Sequence, residues 1–144
     1  MRVMAIDLGD VRSGVAVSDE SASISGEAWL IVEKDQNALA ANIVSEAHKR
    51  NVAILVLGYP KNMNGSIGPR AKKSEEFAKL LEGQLELQGK LELEIVLWDE
   101  RMTTMSAQRI LSETGKRGKK KKNTIDAVAA ALILESYLQY LSGV

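Results

Sequence analysis

The chain has no cysteine, which excludes disulfides, thiol nucleophiles, cysteine-ligated zinc and iron–sulfur clusters. Its one histidine, His48, cannot make a two-histidine acid–base pair, and a three-histidine metal site is out of reach within one chain. Aromatic residues are few, one Phe, two Trp and three Tyr, which argues against recognition through many stacked bases. Long apolar runs are missing as well. The longest uncharged stretch of the final helical segment, Ala127–Leu134, is eight residues, against the roughly 20 that span a bilayer. The opening Val3–Leu8 already carries Asp7 and lacks an extended basic flank, so it does not read as a signal peptide. The expectation is a cytoplasmic protein, without membrane contact, whose chemistry rests on carboxylates.

What is present fits one soluble domain over residues 1–144: a mass of 15.7 kDa with 45% hydrophobic and 26% charged residues. The formal net charge of zero conceals an asymmetry. Lys116, Arg117, Lys119, Lys120, Lys121 and Lys122 place six positive charges in seven positions, on a chain otherwise rich in acids. Such a cluster suits contact with a polyanion, most simply through phosphates. A solvated loop with no partner is the alternative.

Alternation marks the start of the chain, with Val3, Ala5 and Asp7 on one face and Met4, Ile6 and Leu8 on the other. Gly9 and Gly14 bracket a turn, and strands are expected at Val15–Val17 and Ala28–Val32, forming an antiparallel meander. Leu39, Ile43, Val44 and Ala47 then recur at helical spacing. Val52–Leu57 is continuous and apolar, as in a strand buried on both faces. A Gly/Pro/Asn-rich loop leads to a helix carrying Phe77, Leu80 and Leu81. Leu93–Trp98 predicts another strand, Ser106–Ser112 a short helix, and Ile125–Ser136 a last amphipathic helix after a basic loop. Strands followed by alternating helices and strands make an α/β domain with a mixed sheet.

Three acids fall where such a sheet gathers ligands, outside the carboxyl ends of parallel strands. Asp7 closes the first strand, on the face of two small apolar residues, where a bare carboxylate is costly without a cation or donors. Glu100 ends a second strand on the face of Val96 and Trp98, with Asp99 opposite. Asp126 falls in the first turn of the last helix, near a cap at Asn123 or Thr124, on the face of Ala129, Ala130 and Ile133. Each has a plainer reading: a turn acceptor for Asp7, solvation beside an Asp99–Arg101 ion pair for Glu100, and support of the helix dipole for Asp126. Together, three separated carboxylates offer the oxygen ligands that Mg²⁺ or Mn²⁺ prefers. Two such ions, about 3.5–4 Å apart, serve in-line phosphoryl displacement without histidine or cysteine.

The segment Ile6–Asp19, IDLGDVRSGVAVSD, resembles the opening of the YqgF family, small bacterial proteins called pre-16S rRNA nucleases or Holliday-junction-resolvase-like proteins. Gly58–Ser66 (GYPKNMNGS), Asp99–Thr104 (DERMTT), and Asp126 followed by Ala129-Ala130 and Ile133-Leu134 agree in the family's order. The resemblance implies a ribonuclease-H-like fold with a five-stranded mixed sheet of order 3-2-1-4-5. It implies an acidic metal site at Asp7, Glu100 and Asp126, and Mg²⁺- or Mn²⁺-dependent phosphodiester hydrolysis. The implied substrate is the 5′ end of precursor 16S rRNA, with branched, four-way DNA as the older suggestion. Tyr59, where the family usually has leucine, and the polar Asn123-Thr124-Ile125 depart from the family pattern.

Nucleic-acid contacts are expected from Arg12, Lys61, Asn62, Asn64, Arg70 and Arg101, set around the strand ends, and from the backbone-guiding Lys119, Lys120, Lys121 and Lys122. Asn62 and Asn64 have turn formation as their alternative. The chain is expected to act as a monomer or as a homodimer combining two basic loops. Two rivals remain. The Asp-Leu-Gly turn is similar to a phosphate loop of the actin and sugar-kinase ATPases, which need a second domain. The fold could instead bind RNA or a protein partner with little catalysis.

Overall fold

The computed structural model describes residues 1–90, 92–103 and 118–143, leaving the side chains of Thr103 and of residues 118–126 outside the description. In chain order the elements are β1 (Arg2–Asp7), β2 (Arg12–Ser18), β3 (Ser25–Val32), α1 (Gln36–Lys49), β4 (Val52–Tyr59), α2 (Pro69–Gln88) and β5 (Glu94–Asp99). A 3-10 turn at Glu100–Thr103 and helix α3 (Gly118–Ser142) complete them. The short helix expected at Ser106–Ser112 lies outside the described residues.

The five strands form one sheet of order β3-β2-β1-β4-β5, the order the resemblance implies. β1 pairs antiparallel with β2, and β2 with β3, as a meander; β1–β4 and β4–β5 are parallel. Parallel strands need crossovers, and α1 and α2 supply them. The carboxyl ends of β1, β4 and β5 therefore open at one edge.

Each face of the sheet carries its own core. Met4, Ile6, Leu55 and Leu57 pack with Leu39 and Ile43 of α1 and Phe77 and Leu81 of α2. Val3, Ala5, Ile54 and Val56 pack against Ala130, Ile133 and Leu134 of α3. The alternation of β1 thus divides its residues between two cores, because successive strand side chains point to opposite faces. Each fully buried large apolar side chain contributes about 1.5–3 kcal/mol relative to exposure. Helix α1 starts cleanly because the Asp35 carboxylate accepts hydrogen bonds from the Asn37 and Ala38 amides at 2.9 and 3.2 Å, worth about 1 kcal/mol.

Two boundary expectations need correction. Strand β5 ends at Asp99, so Glu100 opens the 3-10 turn rather than closing the strand. Helix α3 begins at Gly118, so Lys119–Lys122 are helical rather than part of a loop, and Asn123 and Thr124 lie inside the helix. Lysine is a good helix former and asparagine and threonine only mildly poor ones, so the run continues where a cap was expected. The first turn of α3 contains no acidic residue, and Asp126 lies more than a turn beyond it. Dipole support therefore does not account for Asp126.

Candidate active site

Asp7 ends β1 in a space kept clear by glycine. Its partner across the antiparallel ladder is Gly14, and on the other side the pairing of Ile6 with Leu57 brings Gly58 alongside. The turn after Asp7 is tight. A β-carbon on Gly9 would overlap the Arg12 carbonyl oxygen, so the close approach requires glycine. The buried Ser13 hydroxyl accepts the Gly9 amide at 3.1 Å and braces the same turn.

Glu100 reaches this space from the end of β5. Its carboxylate lies where a β-carbon on Gly58 would stand, and Ile133 Cδ1 of α3 is 2.8 Å from that same point. Glu100 is thus on the α3 face of the sheet, the face of Val3, Ala5 and Asp7, as its position two residues after Trp98 predicts. Burial pushes the Glu100 carboxyl up to about 7, and the nearby Asp7 charge adds to the rise, while Arg70 opposes it. Two acids drawn together and partly desolvated favour either a shared proton or a cation. The plainer reading of Glu100, a solvated acid beside an ion pair, does not hold.

That ion pair does form. Arg101 Nη2 lies 2.6 Å from Asp99 Oδ2, with Nε donating to both carboxylate oxygens, and it holds the Asp99 carboxyl below its usual range. Arg101 also reaches the Met63 carbonyl at 3.4 Å, tying the loop after β4 to the end of β5.

Within that loop the asparagines build the turn. Asn62 exchanges backbone hydrogen bonds with Ser66 and Gly65, and its amide side chain donates to the Ser66 hydroxyl at 2.9 Å. The Asn64 side-chain Oδ1 accepts from the Ser66 amide and hydroxyl. Lys61 places its ammonium 5.5 Å from the centre of the Tyr59 ring. The Tyr59 hydroxyl donates to Glu75, an engagement that pushes the phenol up, and the residue is half-buried.

Arg70, in the first turn of α2, lines the same cavity as Asp7 and Glu100. Arg12 is exposed at the start of β2, beyond the turn from Asp7. Asp126 occupies the helical register of Ala130, Ile133 and Tyr137, the stripe of α3 that packs on the sheet. Its side chain lies outside the described residues, as do those of Lys119, Lys120, Lys121 and Lys122. The structure thus brings Asp7, Glu100 and Arg70 to one cavity.

Lys73 and Ser74 were not anticipated, and Gly58 was recognised only as the start of a motif block and not as the space that Glu100 fills. Lys73 lines the cavity and pairs with Asp10 at 2.9 Å, and the buried Ser74 hydroxyl donates to the Gly58 carbonyl at 3.0 Å. A signal was available: Arg70, Lys73, Ser74 and Phe77 share one face of α2 at spacings of three, four and seven.

A family model described as "RuvX: Holliday junction resolvase" matches residues 1–140. A protein of Geobacillus sp. (strain WCH70) named "Putative pre-16S rRNA nuclease" is 41% identical over 140 residues, 96% of this chain and 97% of its own length. A protein of the same name from Ruminiclostridium cellulolyticum is 40% identical over 146 residues, covering 99% of this chain and 97% of its own. Among solved structures, T. thermophilus RuvC in complex with Holliday junction substrate superposes with a TM-score of 0.63 at 12% identity, over 99% of this chain and 97% of that one. At that identity the likeness speaks for the fold, a ribonuclease-H-like sheet with helices on both faces. With its motif blocks in order and matched relatives running almost end to end, the chain belongs to the RuvX family, also called YqgF.

Proposed function

We propose that this chain is a nuclease that hydrolyses phosphodiester bonds with Mg²⁺ or Mn²⁺ held by Asp7, Glu100 and Asp126, and that its substrate is the 5′ end of precursor 16S rRNA. The observation that carries the chemistry is the meeting of Asp7 and Glu100 at the carboxyl ends of β1 and β5. Gly58 leaves the room that Glu100 occupies, Gly14 pairs with Asp7, and one of the two acids is pushed up to about 7. A hard divalent cation suits this donor set, because it compensates the buried charge and the Asp7 repulsion that raise Glu100, and needs only oxygen ligands. When bound, the metal would supply charge stabilisation to the attacking and leaving oxygens of the displacement.

The chain's own groups do the rest. Asp7 and Glu100 set the acidic floor, and Asp126 joins them from the sheet-facing register of α3. Arg70 faces that floor and would hold a phosphate of the strand, with Arg12 on the other side of the first turn. Lys61 and Arg101 flank the loop after β4, whose shape Asn62 and Asn64 maintain for backbone contact. Lys119, Lys120, Lys121 and Lys122 would add sequence-independent attraction to the phosphates. The reading places the protein in the cytoplasm with its RNA, as a monomer or homodimer.

The ribosomal substrate rests on the name carried by relatives at about two-fifths identity. A four-way DNA junction is the second reading, favoured by the description of the matching family. Incubating the protein with a precursor 16S 5′ fragment and with a four-way junction, each with Mg²⁺, Mn²⁺ or chelator, separates them. Metal-dependent cuts, lost in Asp7→Asn, are expected on the RNA. Cuts on the junction alone would overturn the ribosomal assignment, and binding without cuts on either substrate would overturn the nuclease.

A further inference from the structure

A cavity of about 350 Å³ starts at Asp7 and Glu100 and runs beneath the first three turns of α2. Asp7, Asp10, Glu76 and Glu100 bring carboxylates to its lining, Lys34, Arg70 and Lys73 bring cations, and Leu8, Phe77 and Leu80 bring apolar atoms. Leu8 and Leu80 are only partly buried, so they present apolar surface inside a concavity beside charged groups. A groove serving the phosphate backbone alone gains nothing from an apolar wall. A concave site with apolar lining and a few convergent charges is the usual form of a small organic ligand site, and such sites hold about 300–1,000 Å³.

A fitting ligand has an apolar body and an anionic end, at a size for one nucleotide and not for a base pair. We infer that this cavity is a nucleotide subsite that takes one unpaired base of the substrate strand, next to the bond that is cut, against Leu8 and Leu80, which Phe77 backs from the core, with the attached phosphate at Arg70 and Lys73. The inference rests on the nuclease reading of Asp7 and Glu100 and extends it to the state of the substrate, which must be unpaired at that nucleotide. Lys73 is exposed and paired with a still more exposed Asp10. Surface pairs of this kind contribute little, so a phosphate can take the place of Asp10 at small cost.

The first test needs no catalysis. Amide signals are followed by NMR in chelator while ribonucleoside 5′-monophosphates, an uncharged nucleoside and inorganic phosphate are titrated in turn. Signals of Leu8, Gly9, Lys73 and Leu80 are expected to move together with the nucleotide, and affinity for inorganic phosphate should be about tenfold weaker, the loss of roughly 1.4 kcal/mol of base contact. Leu80→Gln and the exposed Lys73→Ala should each weaken nucleotide binding by several-fold, the second without risk to the core. Equal response to phosphate and nucleotide, or shifts confined to the lysine run of α3, would overturn the inference.

The second test places the subsite in the strand. Abasic nucleotides are introduced one at a time around the cleavage site of the RNA that wild-type protein cuts. One position is expected to slow wild-type cleavage while adding little to the defect of Leu80→Gln. Indifference to abasic substitution at every position overturns the subsite and leaves the nuclease standing. Nucleotide binding at the named amides without any metal-dependent cleavage overturns the nuclease and keeps the pocket.

Discussion

The Glu100 carboxylate fills the space that a β-carbon on Gly58 would need, so one residue's side chain depends on another's lack of one. In the parallel pairing of β4 with β5, Gly58 stands beside Trp98, and the chain then turns to bring Glu100 back over it. Gly58→Ala should therefore displace Glu100 and press on Ile133, at about 1–3 kcal/mol of stability for overpacking a buried site. Cleavage and metal affinity should fall about 10- to 100-fold, as when a group that orients a metal ligand is altered. Metal titration with thermal melting checks both, and unchanged metal affinity would refute the dependence.

The raised Glu100 carboxyl makes metal-free stability depend on pH. Its folded value of about 7 lies above the ordinary 4.5, so between these the native state holds a proton that the unfolded chain has released. Stability from this group is complete below 4.5 and falls as pH rises through 7, by about 3 kcal/mol at most. Glu100→Gln should flatten that dependence and melt higher than wild type above pH 7 in chelator. Metal binding should show the opposite trend, weakening below pH 7, because the ligand must first ionise. Melting curves and Mn²⁺ titrations from pH 5 to 8 give both signs.

Bracing of the loop after β4 by Arg101 predicts a local effect. Arg101→Lys keeps the charge and loses the forked contact with Asp99 and the reach to Met63. Global stability should change by less than about 1 kcal/mol, as for a surface pair. Hydrogen exchange at Gly65 and Ser66 should accelerate. If Arg101 also holds a phosphate, Arg101→Ala should lower the salt dependence of RNA binding by about one contact, with log K against log salt as the readout.

The lysines of α3 predict a different signature. Replacing Lys119, Lys120, Lys121 and Lys122 with alanine preserves helix propensity and removes four charges. RNA binding should weaken alike for all sequences, and the salt slope should drop by up to about 0.7 per lost contact on single strands. A loss limited to one sequence would contradict a backbone role.

Much of the site was legible in the sequence because the face of a strand residue is a local property. Alternation alone puts Asp7 with Val3 and Ala5, and the structure packs that face against α3. The same parity assigns Glu100 to the side of Val96 and Trp98. Less was legible where signals competed. Asn123-Thr124 looks like a cap, and only the continuous helix from Gly118 shows that the lysines belong to α3.

Strand period and turn chemistry are properties of neighbouring residues, so the mixed α/β order, the faces of the strand acids and the placing of carboxylates at strand ends follow from local pattern. Tertiary structure alone decided that Glu100 stands over Gly58, that its carboxyl is raised by burial and by Asp7, and that the acids share a cavity with Leu8, Leu80, Arg70 and Lys73. Those relations depend on strand register and on how α2 lies against the sheet. Desolvation and Coulomb interaction follow distance through space, and residues 7 and 100 become neighbours only once the sheet has formed.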